Sequence, residues 1–215
     1  MMKNILTIAC VAMLLATTSC NAQDNVQLPK PSMYNKVTLM QALQNRHSAR
    51  EYADKQVPDD VLSIVLWSSC GINRPDEGKI TAPSAINAQD IQVYVVRQDG
   101  AYLYQPKSNS LKRVSSKDLR AAVAGRQSFA ASAPVSLVLV SNHNKFPQQM
   151  PKDAKTRMGV VDAGYVSENI CLACSALGLN TVPRMTMDTE SLKKELGLDD
   201  NYDMVLNSQI GYPKK

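Results

Sequence analysis

The chain has 215 residues, 20% of them charged, and a net charge of +5, which leaves room for one globular core behind a short N-terminal segment. The positive charge is spread without any block of like residues, so neither a nucleic-acid footprint nor a polybasic membrane patch is visible, whereas anionic small molecules suit it as partners. Five cysteines, of which Cys10 and Cys20 fall in the N-terminal segment, leave Cys70, Cys171 and Cys174, an odd and sparse set that excludes a disulfide scaffold.

Residues 1–19 read as a signal peptide: Lys3 in the n-region, the apolar run Ile5 to Ala16, then Thr17-Thr18-Ser19 before Cys20. The run is too short to span a bilayer as a mature helix. Cys20 behind a small residue suits a lipoprotein signal, and cleavage within Cys20-Asn21-Ala22 before Gln23 is the open alternative. Residues 20–37, polar and carrying Pro29 and Pro31, read as a flexible tether. The expectation is an exported envelope protein, periplasmic in one reading, that touches the membrane only through a lipid anchor at Cys20.

The globular part spans 38–213. Thr38 and Gln41 have capping-box spacing for a helix to about Arg46. Pro58-Asp59-Asp60 opens a second helix, with Val61, Leu62, Val65 and Leu66 as its apolar stripe and Gly71 as its end. Residues 73–90 read as a loop. Ile91–Arg97 is a strand, Ala101–Tyr104 and Leu111–Val114 a hairpin beside it, and Ser116–Arg126 a helix. Val135–Ser141, continuously apolar, predicts a strand buried on both faces. A long helix from about Ala154 to Leu177 stops at Gly178, and its many small residues make it a candidate central or dimer-forming helix. Thr181–Met187 is a strand, Thr189–Leu196 a helix and Met204–Ile210 a last strand. Strands and helices without βαβ alternation give the α+β class.

Two segments carry chemistry. Arg46-His47-Ser48-Ala49-Arg50 groups two guanidinium forks and a hydroxyl, a set that suits a phosphate, though such clusters are also ordinary solvated surface. Pro83-Ser84-Ala85-Ile86-Asn87-Ala88-Gln89 offers a hydroxyl and two carboxamides to the edge of a heteroaromatic ring, or is a plain surface turn. Cys171 and Cys174 have redox spacing but lie inside a helix, where small buried side chains are the better reading. His143 sits in a polar loop without partner spacing, Trp67 reads as core, and Asp162 reads as a paired structural carboxylate. No metal site is suggested.

Together these segments resemble the FMN-dependent nitroreductase family over nearly all of 38–213. Arg46 to Arg50 is similar to its Arg-x-Ser-x-Arg/Lys signature and Pro83 to Gln89 to its Pro-Ser-x-x-Asn-x-Gln loop. Asn169 to Leu179 followed by Pro183-Arg184-Met185 resembles its long helix, Gly-Leu stop and flavin-facing strand. The resemblance implies a central antiparallel sheet flanked by helices, an intimate homodimer, and FMN in each of two interface clefts.

By that likeness Arg46, Ser48 and Arg50, with His47 beside them, contact the ribityl phosphate and flavin edge, completed by Lys214. Pro83, Ser84, Ala85, Asn87 and Gln89 approach the isoalloxazine, in one reading from the partner subunit. Pro183, Arg184 and Met185 line it, and the Met185 amide faces the flavin N5. The resemblance assigns no catalytic side chain, because the flavin carries the hydride chemistry. It implies ping-pong transfer from a reduced donor such as NAD(P)H to a small acceptor such as a nitroaromatic or quinone.

The chain departs from the pattern at Gln89-Asp90-Ile91, where the family has Pro-Trp after the glutamine. The hairpin before Ala133-Pro134-Val135 looks like the branch that includes azoline oxidases. A flavin dehydrogenase or oxidase acting directly on its substrate, and a non-catalytic flavin-binding envelope protein, are the alternative readings.

Overall fold

The computed structural model describes residues 25–33 and 35–214. The signal segment and Cys20 lie outside the described residues. A seven-stranded antiparallel sheet is formed by β1 (Asn25–Gln27), β4 (Ile91–Arg97), β5 (Gly100–Gln105), β6 (Ser110–Ser115), β7 (Val135–Asn142), β8 (Asn180–Arg184) and β9 (Tyr202–Gly211), in the order β1-β6-β5-β4-β7-β9-β8. Helices α1 (Leu39–Asn45), α2 (Asp59–Cys70) and α4 (Lys152–Ala176) pack on one face, and α3 (Arg120–Ala124) and α5 (Thr189–Leu196) on the other. The α+β reading with a central antiparallel sheet holds.

Both sheet faces are covered, so β7 is buried at all eight positions. Its side chains alternate: Leu137 and Leu139 join Val93 and Val95 of β4 under α2 and α4, while Val138 and Val140 join Tyr94 and Val96 under α3 and α5. Each fully buried leucine stabilises the fold by about 1.5–3 kcal/mol relative to exposure.

The helix ends follow the sequence signals. Thr38 Oγ1 accepts from the Gln41 amide, and the Gln41 side chain accepts from the Thr38 amide, closing the expected capping box of α1. Helix α4 ends in a Schellman turn: Gly178, at φ +68°, donates to Ser175 O, and Leu179 donates to Cys174 O.

The tether reading gives way from Asn25 onward. Asn25–Gln27 pairs with β6, Leu28 is 2% exposed, and the Pro29 carbonyl accepts from Ser63 Oγ and Asn109 Nδ2. Alternation over so few residues is too brief to register against a polar background. The 73–90 loop contains a two-stranded ribbon, β2 (Ile72–Arg74) with β3 (Lys79–Ile80). The helix expected over 116–126 shrinks to α3. Ser115 Oγ and Asp118 Oδ1 take the amides of Lys117 and Arg120 and hold the preceding residues in turns. Strand β8 ends at Arg184 because the Thr186 carbonyl is taken by the Arg184 and Asn207 side chains. Trp67 is half-buried, with its indole donating to Ile72 O. His143 is 3% exposed, its Nε2 2.9 Å from Asp203 Oδ2, a partner too distant in sequence to be read from spacing.

Helix α4 reaches the sheet through Gly159, where a Cβ would lie 2.7 Å from Ser141 Cβ and also collide with Ser141 Oγ. Gly159→Ala gains helix propensity but overpacks this contact, so a net loss of about 1–3 kcal/mol is expected. Urea unfolding checks it; an equally stable variant means the helix stands off the sheet.

Candidate functional site

Helix α1 ends where Arg46 turns to extended geometry while its amide still donates to Ala42 O. The chain then runs beside β8. Ser48 bridges Thr181 in parallel, the Ala49 amide donates to Thr181 O at 3.0 Å, and Asn180 Nδ2 donates to Glu51 O at 2.8 Å. Tyr52 donates to Ala49 O at 3.1 Å, and Ser175 Oγ of α4 donates to Ala42 O at 2.7 Å.

So fixed, Arg46, Ser48 and Arg50 are exposed, and neither guanidinium forms an ion pair among the described residues. His47 Nδ1 is tied back to Asn45 O at 2.8 Å. Arg46 and His47 line a cleft of about 450 Å³ with Cys171, Ser175, Thr181 and Pro213. Lys214, exposed, follows Pro213 at its edge. Arg46 and Arg50 leave two guanidinium forks without such an ion pair beside an exposed hydroxyl, a set chemically able to take an anion such as a phosphate. Cys171 is a poor nucleophile there, since burial, and then Glu168, push its thiol up to about 11; burial raises Cys174 further. The small-side-chain reading of both fits.

The second segment is a strained turn. Ile86, Asn87 and Gln89 all have positive φ, at 49°, 57° and 49°, a region that L-residues occupy only when held there. What holds them is visible: the Gln89 amide donates to Ser84 Oγ at 2.9 Å, and Gln89 Nε2 donates to Gly78 O at 3.0 Å. The Ala85 amide donates to both carboxylate oxygens of Asp162, at 3.0 and 2.9 Å. Gln89 thus fastens the turn from behind, whereas Pro83, Asn87 and Ile86 are exposed and Ser84 and Ala85 half-buried.

Within one chain the two segments do not meet. The loop is fixed to α4 at Asp162, and the arginine turn lies beside Cys171, nine residues further along, a separation of about 13 Å along the helix. Leu39 and Met40 of α1, Val160, Val161 and Tyr165 of α4, and Ile86 at the loop tip are all exposed. Val161 and Tyr165, four residues apart on α4, share one helix face.

Beyond the last β8–β9 pair, Arg184 with Asn207, the backbone of Met185 is free of the sheet ladder, and its side chain is 71% exposed. Pro183 is also exposed. An open cleft of about 730 Å³ lies beside Met185, bounded by Ala121, Gly125, Arg126 and Asp188.

Arg184 corrects the sequence reading. It points to the opposite face, is 7% exposed, and spends its five N–H groups on Gln127 Oε1, Val123 O, Asn207 Oδ1, Ala124 O and Thr186 O. It ties α3 to the sheet and has no donor left for a cofactor phosphate. Sequence reasoning also missed the partner of Asp162, which is Asp90. The signal was present: an acidic residue opening a strand that is otherwise apolar.

Residues 43–212 match the family model described as Nitroreductase family. A solved nitroreductase-like protein of Ralstonia eutropha JMP134 superposes with a TM-score of 0.84 at 30% identity, covering 99% of this chain and 97% of that one. A protein of Archaeoglobus fulgidus, named for NADH dehydrogenase and NAD(P)H nitroreductase, is 27% identical over 180 residues, 81% of this chain and 85% of its own. A nitroreductase-like protein of Desulfovibrio desulfuricans, solved in complex with FMN, shares the fold at a TM-score of 0.58 and 22% identity, covering 82% of this chain and 87% of that one. By the family model over 43–212 and the relative that it matches at 30% identity along almost its whole length, this oxidoreductase belongs to the nitroreductase family.

Proposed function

We propose that two copies of the chain form a pair of FMN sites and move hydride from a reduced donor such as NAD(P)H to a small acceptor such as a nitroaromatic or quinone. The observation that carries this is the separation of the two segments on α4 together with the exposed apolar side chains Val161 and Tyr165 on the same helix. A second copy seated on them brings its 83–89 loop toward the first copy's arginine turn.

When bound, FMN supplies the hydride chemistry. Arg46, Arg50 and Ser48, with Lys214, hold the phosphate by charge-assisted bonds. Ser84 and Asn87 would present polar groups to the ring edge, and the Met185 amide, free of the sheet ladder, would be the donor to N5. The cleft beside Met185 receives donor and acceptor in turn, with Arg126 at its border as a cation for an anionic group. The hairpin β5–β6, which comes between β4 and β7 in sequence and extends the sheet on the side of β4 away from β7, supports a position near the azoline-oxidase branch. We also propose export with lipid attachment at Cys20, supported by the apolar run and small residues before it.

Purified residues 21–215 are expected to carry stoichiometric FMN and to reduce a quinone at the expense of NADH or NADPH. Turnover of an azoline with no added donor selects the oxidase reading instead. Arg46→Ala and Arg50→Ala each raise the FMN dissociation constant about 10–100-fold, the loss of a charged hydrogen bond, while the apo melting temperature stays put. Wild-type affinity in both variants removes the phosphate assignment.

Val161→Asp, on the face of α4 shared with Tyr165, is expected to give a monomer by sedimentation that also loses FMN. A monomer that keeps FMN shows that each site is complete in one chain. Full-length protein is expected to incorporate labelled fatty acid, and Cys20→Ser to incorporate none; equal labelling places the anchor elsewhere.

A further inference from the structure

The loop 83–89 is closed by one carboxyl group. Asp162 on α4, 1% exposed, accepts the Ala85 amide at the start of the loop. The same carboxyl meets the side chain of Asp90, which directly follows Gln89 at the loop's other end and is 0% exposed. Asp90 Oδ2 accepts from Ser141 Oγ of β7 at 2.5 Å, while Oδ1 is buried and receives no donor from a neutral or cationic group. From α4, Gly159 presses on the pair, a Cβ there lying 3.3 Å from Asp90 Oδ2.

No lysine, arginine or histidine forms an ion pair with either carboxyl among the described residues. The groups that face the pair are Ser141 from β7, Gly159 from α4 and the Ala85 amide from the loop, so each carboxyl is the other's charged neighbour. Two adjacent anions with one hydroxyl and one amide between them are poorly satisfied. A single proton between them removes the repulsion and gives Asp90 Oδ1 its missing donor.

We propose that Asp162 holds a proton toward Asp90 and is the positioning residue that staples both ends of the 83–89 loop, so that the loop's order and its hold on a ligand weaken as the proton is lost. The ligand is FMN if the function proposed above is correct; the staple itself does not depend on that. Burial, followed by the hydrogen bond and charge of Asp90 and against the Ala85 amide, raises Asp162 from 3.8 to about 6. Because the folded value lies above the ordinary one, this stabilisation is complete below the ordinary value and is lost as pH rises through about 6. The positive φ at Ile86, Asn87 and Gln89 persists only while both ends are held.

Hydrogen exchange of the amides of residues 84–90, corrected for the chemical rate at each pH, reads the staple in the apo protein, and an FMN titration reads its effect on the site. Between about pH 5 and pH 7.5 the wild type is expected to lose roughly ten-fold in loop protection and in FMN affinity. Asp162→Asn keeps an acceptor for Ala85 and a donor for Asp90 and is expected to be flat across that range, whereas Asp90→Asn removes the like charge and is expected to move the midpoint to lower pH. Asp162→Ala exchanges freely at both ends of it.

Wild-type protection that is as flat as that of Asp162→Asn overturns the proposal, with or without FMN binding. The expected exchange pattern in a protein that takes up no FMN upholds the staple and sinks the cofactor reading. If Asp162→Ala does not fold, the wild type and the two asparagine variants still decide.

Discussion

The contact on which the rest of the structure depends is that of α4 with the strands β4, β7 and β9. A helix of 25 residues lies across the sheet, and it comes close because Gly159 has no side chain and Ala163 has a small one. Ile170, Val166 and Cys174 then complete the core with Leu137 and Leu139. With α4 seated, α2 and α1 have a surface to pack on, and the other face of the sheet is left to α3 and α5. Core energetics and site geometry are therefore the same problem in this chain. Each functional segment is fastened to α4 or to the strand that follows it.

That fastening explains why short polar segments hold defined shapes. The arginine turn has few buried side chains of its own, and its backbone is ordered by Thr181, Asn180 and Ser175. The 83–89 loop adopts three left-handed residues without a glycine, a conformation that bonds to Asp162 and Gly78 impose. Neither segment is rigid by propensity. Both are rigid because an element with a deep core grips them, the arrangement by which loops present polar groups at fixed distances.

Much of this was legible from residue patterns, and the exceptions share a cause. Capping at Thr38, the Gly178 stop and the apolar run of β7 are local signals, and each was met within a residue or two. The arginine turn and the 83–89 loop were singled out by their motifs, and most of their residues are exposed or half-buried. What sequence missed depends on partners far along the chain. Arg184 looked available to line a flavin because its acceptors, Gln127, Asn207 and three carbonyls, come from α3 and the residues after it, β9 and the turn after β8. Asp162 was read as paired, but the pairing with Asp90 exists only once α4 crosses the start of β4. Asn25–Gln27 was taken as tether because β6, which orders it, lies more than eighty residues away.

Arg184 and the Asp90–Asp162 pair also show how this fold buries charge without salt bridges. Burial disfavours the charged form of Arg184 and of Asp162. The guanidinium has five N–H groups and five neutral acceptors, so every donor is answered and the cation is kept. The two carboxyls have one amide and one hydroxyl among four oxygens. Charge survives burial where hydrogen bonds match it one for one, and yields a proton site where they do not. The buried cation therefore sits at a purely structural joint between α3 and the sheet, where nothing needs to change. The under-satisfied carboxyls sit at the root of a strained loop, where a change of a single proton is felt by exposed residues at the site.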